Sequence, residues 1–260
     1  MRGARLWVLA ANDGEALEIE RLLADRGEGV LISRQPWGAR WADLEPAIQD
    51  AVDRFRGLQP EAEVIGVELA GANRWRARNI DHHVYPDEDR SHPESAIEQV
   101  ARELGVELNR WQRLVAANDR GYIPAMEALD ATPEEIAAVR RQDRQAQGLT
   151  PEDEDRARRD IESAEWRGDR VLVRCCGQPT SAHSDFLHGQ AKEALLIGNR
   201  SWEYEGPRRR LFAAQGFTEE TWMGGAEASG YFGVKSPGPE SQRRLLELFW
   251  TDLSTGAKNV

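Results

Sequence analysis

The sequence predicts an α/β protein: a doubly wound, largely parallel sheet (α/β), followed by a second, smaller α+β domain. Three observations predict it. Short apolar runs alternate with helical patterns over residues 6–104, the signature of strand–helix–strand winding. Acidic or acidic–histidine segments follow those runs, where ligands sit in such sheets, beyond the carboxyl ends of the strands. From residue 169 the pattern changes to several short strand-like runs closed by an amphipathic helix.

Residues 6–11 form an apolar run that stops at Asn12-Asp13-Gly14, a strand feeding a turn. Residues 16–26, with Leu17, Ile19, Leu22 and Leu23, have helical spacing. Residues 29–33 give a second strand, 44–55 a second helix and 64–69 a third strand, followed by a loop over 70–78. Asn79-Ile80 then leads into Asp81-His82-His83. Ser91-His92-Pro93-Glu94 has the spacing of a capping box and predicts a helix running to about 104, with a further helix over 109–117. Thr132-Pro133 and Thr150-Pro151 are two more helix starts with Pro at the first helical position. The charged stretch 131–168 around them reads as a helical connector with solvated faces and no chemistry. The expected organisation is residues 1–130, connector 131–168, and a second domain over 169–260. In the last, 171–176, 194–198, 202–205 and 229–234 read as strands and 242–250 as the closing helix.

The net charge of −11 argues against a duplex binder, which needs a basic surface to neutralise phosphates. An acidic chain can still handle a small anion where a metal supplies local positive charge. No apolar run approaches the roughly 20 residues of a spanning helix, so no membrane partner is expected. Residues 1–13 do not read as a signal peptide, and the expected location is cytoplasmic. The two cysteines, Cys175 and Cys176, are adjacent in a predicted strand, point to opposite faces and read as packing residues.

Asp81-His82-His83 is the most informative motif. The chain has 5 histidines, and two stand side by side after an aspartate. Imidazole is a common transition-metal ligand and carboxylate suits hard divalent ions, so this short step offers several metal or phosphate contacts. A smaller repetition accompanies it. Ala10-Ala11-Asn12-Asp13 recurs as Ala116-Ala117-Asn118-Asp119, each followed by Gly within two residues, and each able to present a carboxylate from a tight turn.

The ordered set Asp13-Gly14-Glu15, Glu68, Asp81-His82-His83 and Asp119-Arg120-Gly121-Tyr122 resembles the DHH phosphoesterase superfamily. The likeness covers roughly residues 5–125. It implies a metal-dependent phosphoesterase in which Asp13, Glu15, Glu68, His82 and Asp119 hold two divalent ions. Mn²⁺ is the typical ion, with Mg²⁺, Co²⁺ or Fe²⁺ as alternatives, and Glu68 bridges the pair. It further implies that His83 faces the phosphate while Asp81 orients the histidines. The second half resembles the substrate-binding domain that follows in many members. Residues 207–211, with Arg209 and Arg210, stand for its Arg-bearing strand, and Gly224-Gly225 open its glycine turn. His183 and His188, with Asp185 between, are secondary substrate-binding candidates.

Glu15 and Glu68 stand where the family has Asp, and Ala226 where its glycine turn has His. The expected function is hydrolysis of a phosphoester or phosphoanhydride bond in a small anionic substrate, a short oligonucleotide or nucleotide. A homodimer is compatible with it. Two alternatives stay open: a catalytically degenerate member that binds nucleotide or metal, and the same cradle acting on a non-phosphate substrate. Trp37 and Trp41 are placed to cover a cleft or stack a base, or simply to pack. Arg74, Arg76 and Arg78 alternate just before Asp81 and would share one face if extended.

Overall fold

In the computed structural model, β1 (Arg5–Ala10), β2 (Gly29–Ser33), β3 (Glu63–Val67) and β4 (Arg78–Ile80) form one all-parallel sheet in the order β2-β1-β3-β4. The structure describes residues 4–83, 85, 88–177, 180–225 and 230–251. The chain divides into two units, 1–148 and 149–260. The segment 131–168 contributes one helix to the first and a helix and a strand to the second.

In the first unit, α1 (Gly14–Asp25) links β1 to β2, and α2 (Pro46–Leu58) links β2 to β3. Successive side chains of β1 point to opposite faces, and both faces are covered. Trp7 and Leu9 pack with Ile19, Leu23, Ile97 and Val100. Leu6 and Val8 pack on the other side with Trp41, Val52 and Trp75. The sheet is therefore doubly wound. Because β2 and β3 flank β1 on opposite sides, the winding reverses between β1 and β3, and the crevice for a ligand opens at their carboxyl ends.

Gly66 shows how closely one face is packed. A Cβ there would lie 2.1 Å from the Trp41 ring, so only glycine lets the indole cross β3, and its N–H then donates to Asn79 Oδ1 at 2.8 Å. Trp41 is thus a core residue. Arg74 and Arg78 are likewise taken up locally, by Asp53 and by Glu63 with Glu103, and Arg76 sits at φ 54°.

Three further helices complete the unit: α3 (Ala96–Leu104), α4 (Arg110–Glu127) and α5 (Pro133–Ala146). The cap of α3 differs from the expected Ser91. Ser95 is the N-cap, and the Glu98 carboxylate accepts its backbone N–H at 2.9 Å. With Ser91 as cap, His92 would have to be helical immediately before Pro93, which sterics disfavour. The helix predicted over 109–117 runs ten residues further, to Glu127, with a kink at Gly121 and Tyr122 (φ 60°, ψ −152°). Pro124 explains the kink, since it lacks an N–H and its ring crowds the carbonyl of Arg120. Asp119 therefore leaves a helix just before a break rather than a tight turn.

The second unit contains α6 (Pro151–Glu162), β5 (Glu165–Arg167), β6 (Arg170–Arg174), α7 (Ser181–Leu187), β7 (Glu193–Ile197), β8 (Ser201–Gly206), α8 (Arg209–Ala213), β9 (Thr221–Gly224), β10 (Gly230–Lys235) and α9 (Pro239–Trp250). Its sheet has the order β5-β6-β7-β8-β10-β9, and only the β6–β7 pair is parallel. Leu195, Tyr204, Phe212, Phe232 and Phe249 form the larger core, and Val171, Val173, Leu187 and Leu196 one on the opposite side. Both cysteines follow the end of β6; Cys175 is buried and packs as expected, whereas Cys176 is exposed and does not. The arginine segment expected as a strand is instead α8, whose Phe212 packs into the core. No helix among the described residues is long and apolar enough to cross a membrane.

Candidate metal centre

Glu15, Glu68, His82 and Asp119 converge from four elements of the first unit. Each offers one ligand atom, and these atoms lie within 4.8 Å of one another. A second set, Glu68, His82 and His83, shares two of the four. The elements explain the convergence. Glu15 is in the first turn of α1, Glu68 directly follows β3, His82 follows β4, and Asp119 precedes the kink of α4.

Backbone geometry helps aim the groups. Glu68 sits at φ 52°, left-handed backbone that a non-glycine side chain rarely adopts without compensation. Its N–H donates to the Ile80 carbonyl at 3.0 Å, tying the β3 turn to the end of β4. Glu15 Oε1 accepts the Ile97 N–H at 3.1 Å, at the N-terminus of α3.

The atoms left over are informative. Glu15 Oε2, Glu68 Oε1, His82 Nε2 and Asp119 Oδ2 are all buried without a hydrogen-bond partner. His82 Nε2 is nevertheless 2.5 Å from Asp119 Oδ2 and 3.3 Å from Glu68 Oε1: the separations are short, but the directions do not suit hydrogen bonds. Buried polar atoms are almost always satisfied, so several converging without partners indicate a missing positive centre. Three carboxylates and one imidazole are the donor set that a divalent ion takes. The residues fit a metal.

Electrostatics point the same way. Burial, then the charges of Asp119 and Glu68, push Glu15 well above the usual carboxylate range. Burial, then Glu68 and Asp119, do the same to Asp13. Glu68 is raised by burial, with His82 opposing and Asp119 adding to the rise. Burial disfavours the charged form of His82, but Asp119 and Glu68 outweigh it and bring the imidazole up to about 10. The cluster is starved of positive charge, and His82 supplies what it can.

Asp13 lies beside this group but in neither ligand set. It is the N-cap of α1, and its Oδ1 accepts the Ala16 N–H at 2.8 Å. Asp81 is saturated with donors. Its Oδ1 accepts the His82 and His83 N–H groups at 2.9 and 3.0 Å and faces His83 Nδ1 at 3.1 Å. Its Oδ2 accepts from Tyr85 Oη and Arg90 Nη1 at 2.9 and 3.2 Å. Burial would raise Asp81, but the His83 and Tyr85 contacts hold it below the ordinary range. It shapes the turn and sets the His83 ring. Trp37, 63% exposed, stands edge-on to His83 with ring centres 6.5 Å apart.

Several supporting residues carry no motif in the sequence. Arg90 donates to the Leu69 and Gly71 carbonyls at 2.9 and 3.3 Å as well as to Asp81, so it joins the Glu68 turn to the histidine turn. Gln99 on α3 donates to the Asp81 carbonyl at 2.9 Å. Arg140 and Asp143 on α5 are buried, unlike the solvated face expected of that stretch. The spacing of charges along α5 cannot reveal what α1 and α4 bring against it.

The remaining candidates belong to the second unit. His183 is buried in α7, with Nε2 3.0 Å from Asp160 Oδ2, and His188 is the C-cap of that helix. Arg209 is buried: a Cβ on Gly230 would come within 2.3 Å of its Cδ. Arg210 is exposed. Gly224 ends β9, where a Cβ would lie 2.4 Å from Tyr231 Oη, and Gly225 follows at φ 77°. The rest of the expected glycine turn, 226–229, lies outside the described residues.

No protein-family model matches the chain, and no curated protein matches it in sequence. Among solved structures, it is similar to a pGpG-specific phosphodiesterase, PggH, from Vibrio cholerae. The identity is 15% and the TM-score 0.42, over 95% of this chain and 96% of that one. It is also similar to the exonuclease RecJ bound to manganese, at 14% identity and a TM-score of 0.40, over 95% of this chain and 89% of the other. Likeness at this level says nothing of activity.

Proposed function

We propose that the chain is a divergent DHH-type phosphoesterase: a divalent-metal-dependent hydrolase of a phosphoester or phosphoanhydride bond in a short oligonucleotide or nucleotide. The observation that carries it is the convergence of Glu15, Glu68, His82 and Asp119, each with one buried atom that has no hydrogen-bond partner, at the switch point of a doubly wound sheet. Glu15, Glu68, His82 and Asp119 would hold the divalent ions, Mn²⁺ being the first choice, with Asp13 beside them. Ions held there would polarise phosphoryl oxygens and lower the pKa of water towards neutrality.

The chain's own residues do the rest. Asp81 holds the His83 ring through Nδ1, which leaves the other ring nitrogen to meet a phosphate oxygen. Arg90 and Gln99 keep the turn in place. The exposed Trp37 indole beside His83 offers a flat apolar face, and every nucleobase has a π-face to lay against one. That favours a nucleotide over inorganic pyrophosphate. Arg210 and the Gly224-Gly225 step are the second unit's candidates for holding an anion.

Metal analysis with Mn²⁺-dependent turnover on dinucleotides, longer oligonucleotides, mononucleotides and pyrophosphate tests this reading. Turnover of the nucleotides that is lost in His82→Ala is expected. Failure to bind Mn²⁺ would sink it, and binding without turnover on any phosphate compound would shift it to a non-hydrolysing or non-phosphate function.

A further inference from the structure

The two Ala-Ala-Asn-Asp segments are far apart in sequence, yet one ion pair on α5 grips both. Asp143 Oδ1 accepts the Gly14 N–H at 3.0 Å, directly between Asp13 and Glu15. Asp143 Oδ2 accepts from Arg140 Nη1 at 2.8 Å and from Gln147 Nε2 at 3.0 Å. The same Arg140 nitrogen donates to Asn118 Oδ1 at 3.0 Å, directly before Asp119. The guanidinium also covers the Tyr122 ring, 4.6 Å from its centre, at the kink where φ is 60°.

We propose that Arg140 and Asp143 are positioning residues that hold the Glu15 and Asp119 carboxylates at the spacing a divalent cation requires, an inference that rests on the metal-centre reading above.

The geometry favours this over an ordinary helix-face ion pair. Arg140 and Asp143 are each 7% exposed, and such i, i+3 pairs usually lie in solvent. Asp143 meets the first turn of α1, whose backbone N–H groups lack helical partners and favour a negative charge. Gly14 leaves it room: a Cβ there would lie 3.3 Å from both Asp143 Cα and Oδ1. Arginine suits the other end, because a planar guanidinium can bond in its plane and stack on Tyr122 with its face, which an ammonium cannot do. Three carboxylates without a cation repel one another, so their supporting turns need anchoring from outside the ligand set. The strut also gives the repeated motif a reading. The residue gripped, Gly14 just after the first copy and Asn118 within the second, is in both cases the immediate neighbour of the aspartate.

The test is Mn²⁺ binding by calorimetry on the full chain, alongside thermal unfolding of the metal-free protein, for Arg140→Lys, Asp143→Ala and Val139→Ala. Residues that orient metal ligands without touching the metal typically cost 10- to 100-fold in affinity when changed, and a loss of about that size is expected for Arg140→Lys and Asp143→Ala. Val139→Ala loosens the same helix through its core contacts with Leu114, Val115 and Met126. It is expected to lower the unfolding midpoint while keeping wild-type affinity. Arg140→Lys retains charge and bulk and carries the test alone if Asp143→Ala does not fold. Wild-type affinity in Arg140→Lys, or an equal loss in Val139→Ala, overturns the strut and leaves the metal centre standing. A wild-type protein that binds no Mn²⁺ overturns both.

Discussion

His82 Nε2 and Asp119 Oδ2 stand 2.5 Å apart with no hydrogen bond of acceptable geometry between them. A cation received by these atoms would bind the folded chain and stabilise it by mass action. At free Mn²⁺ one hundred times its dissociation constant the gain is about 2.7 kcal/mol. For a fold of this size that raises the unfolding midpoint by roughly 5–10 °C. Scanning calorimetry with Mn²⁺ and then with excess chelator should show the rise and its reversal, and His82→Ala should show neither. Identical midpoints with and without Mn²⁺ would contradict the site.

Asp81 is predicted to matter for stability before it matters for chemistry. Its carboxylate is the common acceptor for the histidine turn, Tyr85 and Arg90, whose side chain is 9% exposed. Removing one partner of a buried pair costs about 3–5 kcal/mol where the other charge is left alone. Glu88 still pairs Arg90 through its other terminal nitrogen, so Asp81→Ala should lose less than that in urea unfolding. Combining it with Arg90→Met should cost less than the two single changes added, since the Asp81–Arg90 contact is lost only once. Strict additivity would show that the pair is not coupled.

The sheet was legible because β1 and β3 are apolar on both faces, and the ligand-bearing turns because motifs mark the ends of strands. Glu68 was legible by position alone. What stayed hidden is tertiary. Ser91-x-x-Glu94 and Ser95-x-x-Glu98 are equally good capping boxes, and only the restriction that Pro93 places on His92 separates them. Arg209 and Arg210 lie on a short helix because Phe212 must reach the core, a demand no local propensity records. Arg140 and Asp143 fall in the stretch that reads as solvated, and Arg90 belongs to no motif, since their partners arrive from other elements.

Glu135 gives a pH test remote from the cluster. The Arg110 guanidinium, then the Thr132 N–H, hold this exposed carboxyl at about 2, below its ordinary 4.5. A carboxyl whose folded value is depressed stabilises the fold above its unfolded value, and that contribution is lost as the pH falls through the folded value. Wild-type stability should therefore drop between about pH 4.5 and 2 more steeply than that of Glu135→Gln. Parallel curves from urea titrations across this window would remove Glu135 from the acid response.

Glu68 combines two destabilising features that make sense only together with a cation. Its backbone sits at φ 52°, and its carboxylate is buried near those of Glu15 and Asp119. Left-handed backbone at a non-glycine residue costs about 1–3 kcal/mol, and asparagine tolerates it better than glutamate. Glu68→Asn also removes one charge from a cluster that lacks compensation, while Asp119 remains against His82. The metal-free variant should therefore unfold at a higher temperature than the wild-type protein, by an amount equivalent to about 1–2 kcal/mol. The rise caused by Mn²⁺ should vanish, so that the order of stability inverts once the ion is added. A variant less stable than wild type without metal, or one that keeps the full Mn²⁺ response, would show that Glu68 is not held in strain for the ion.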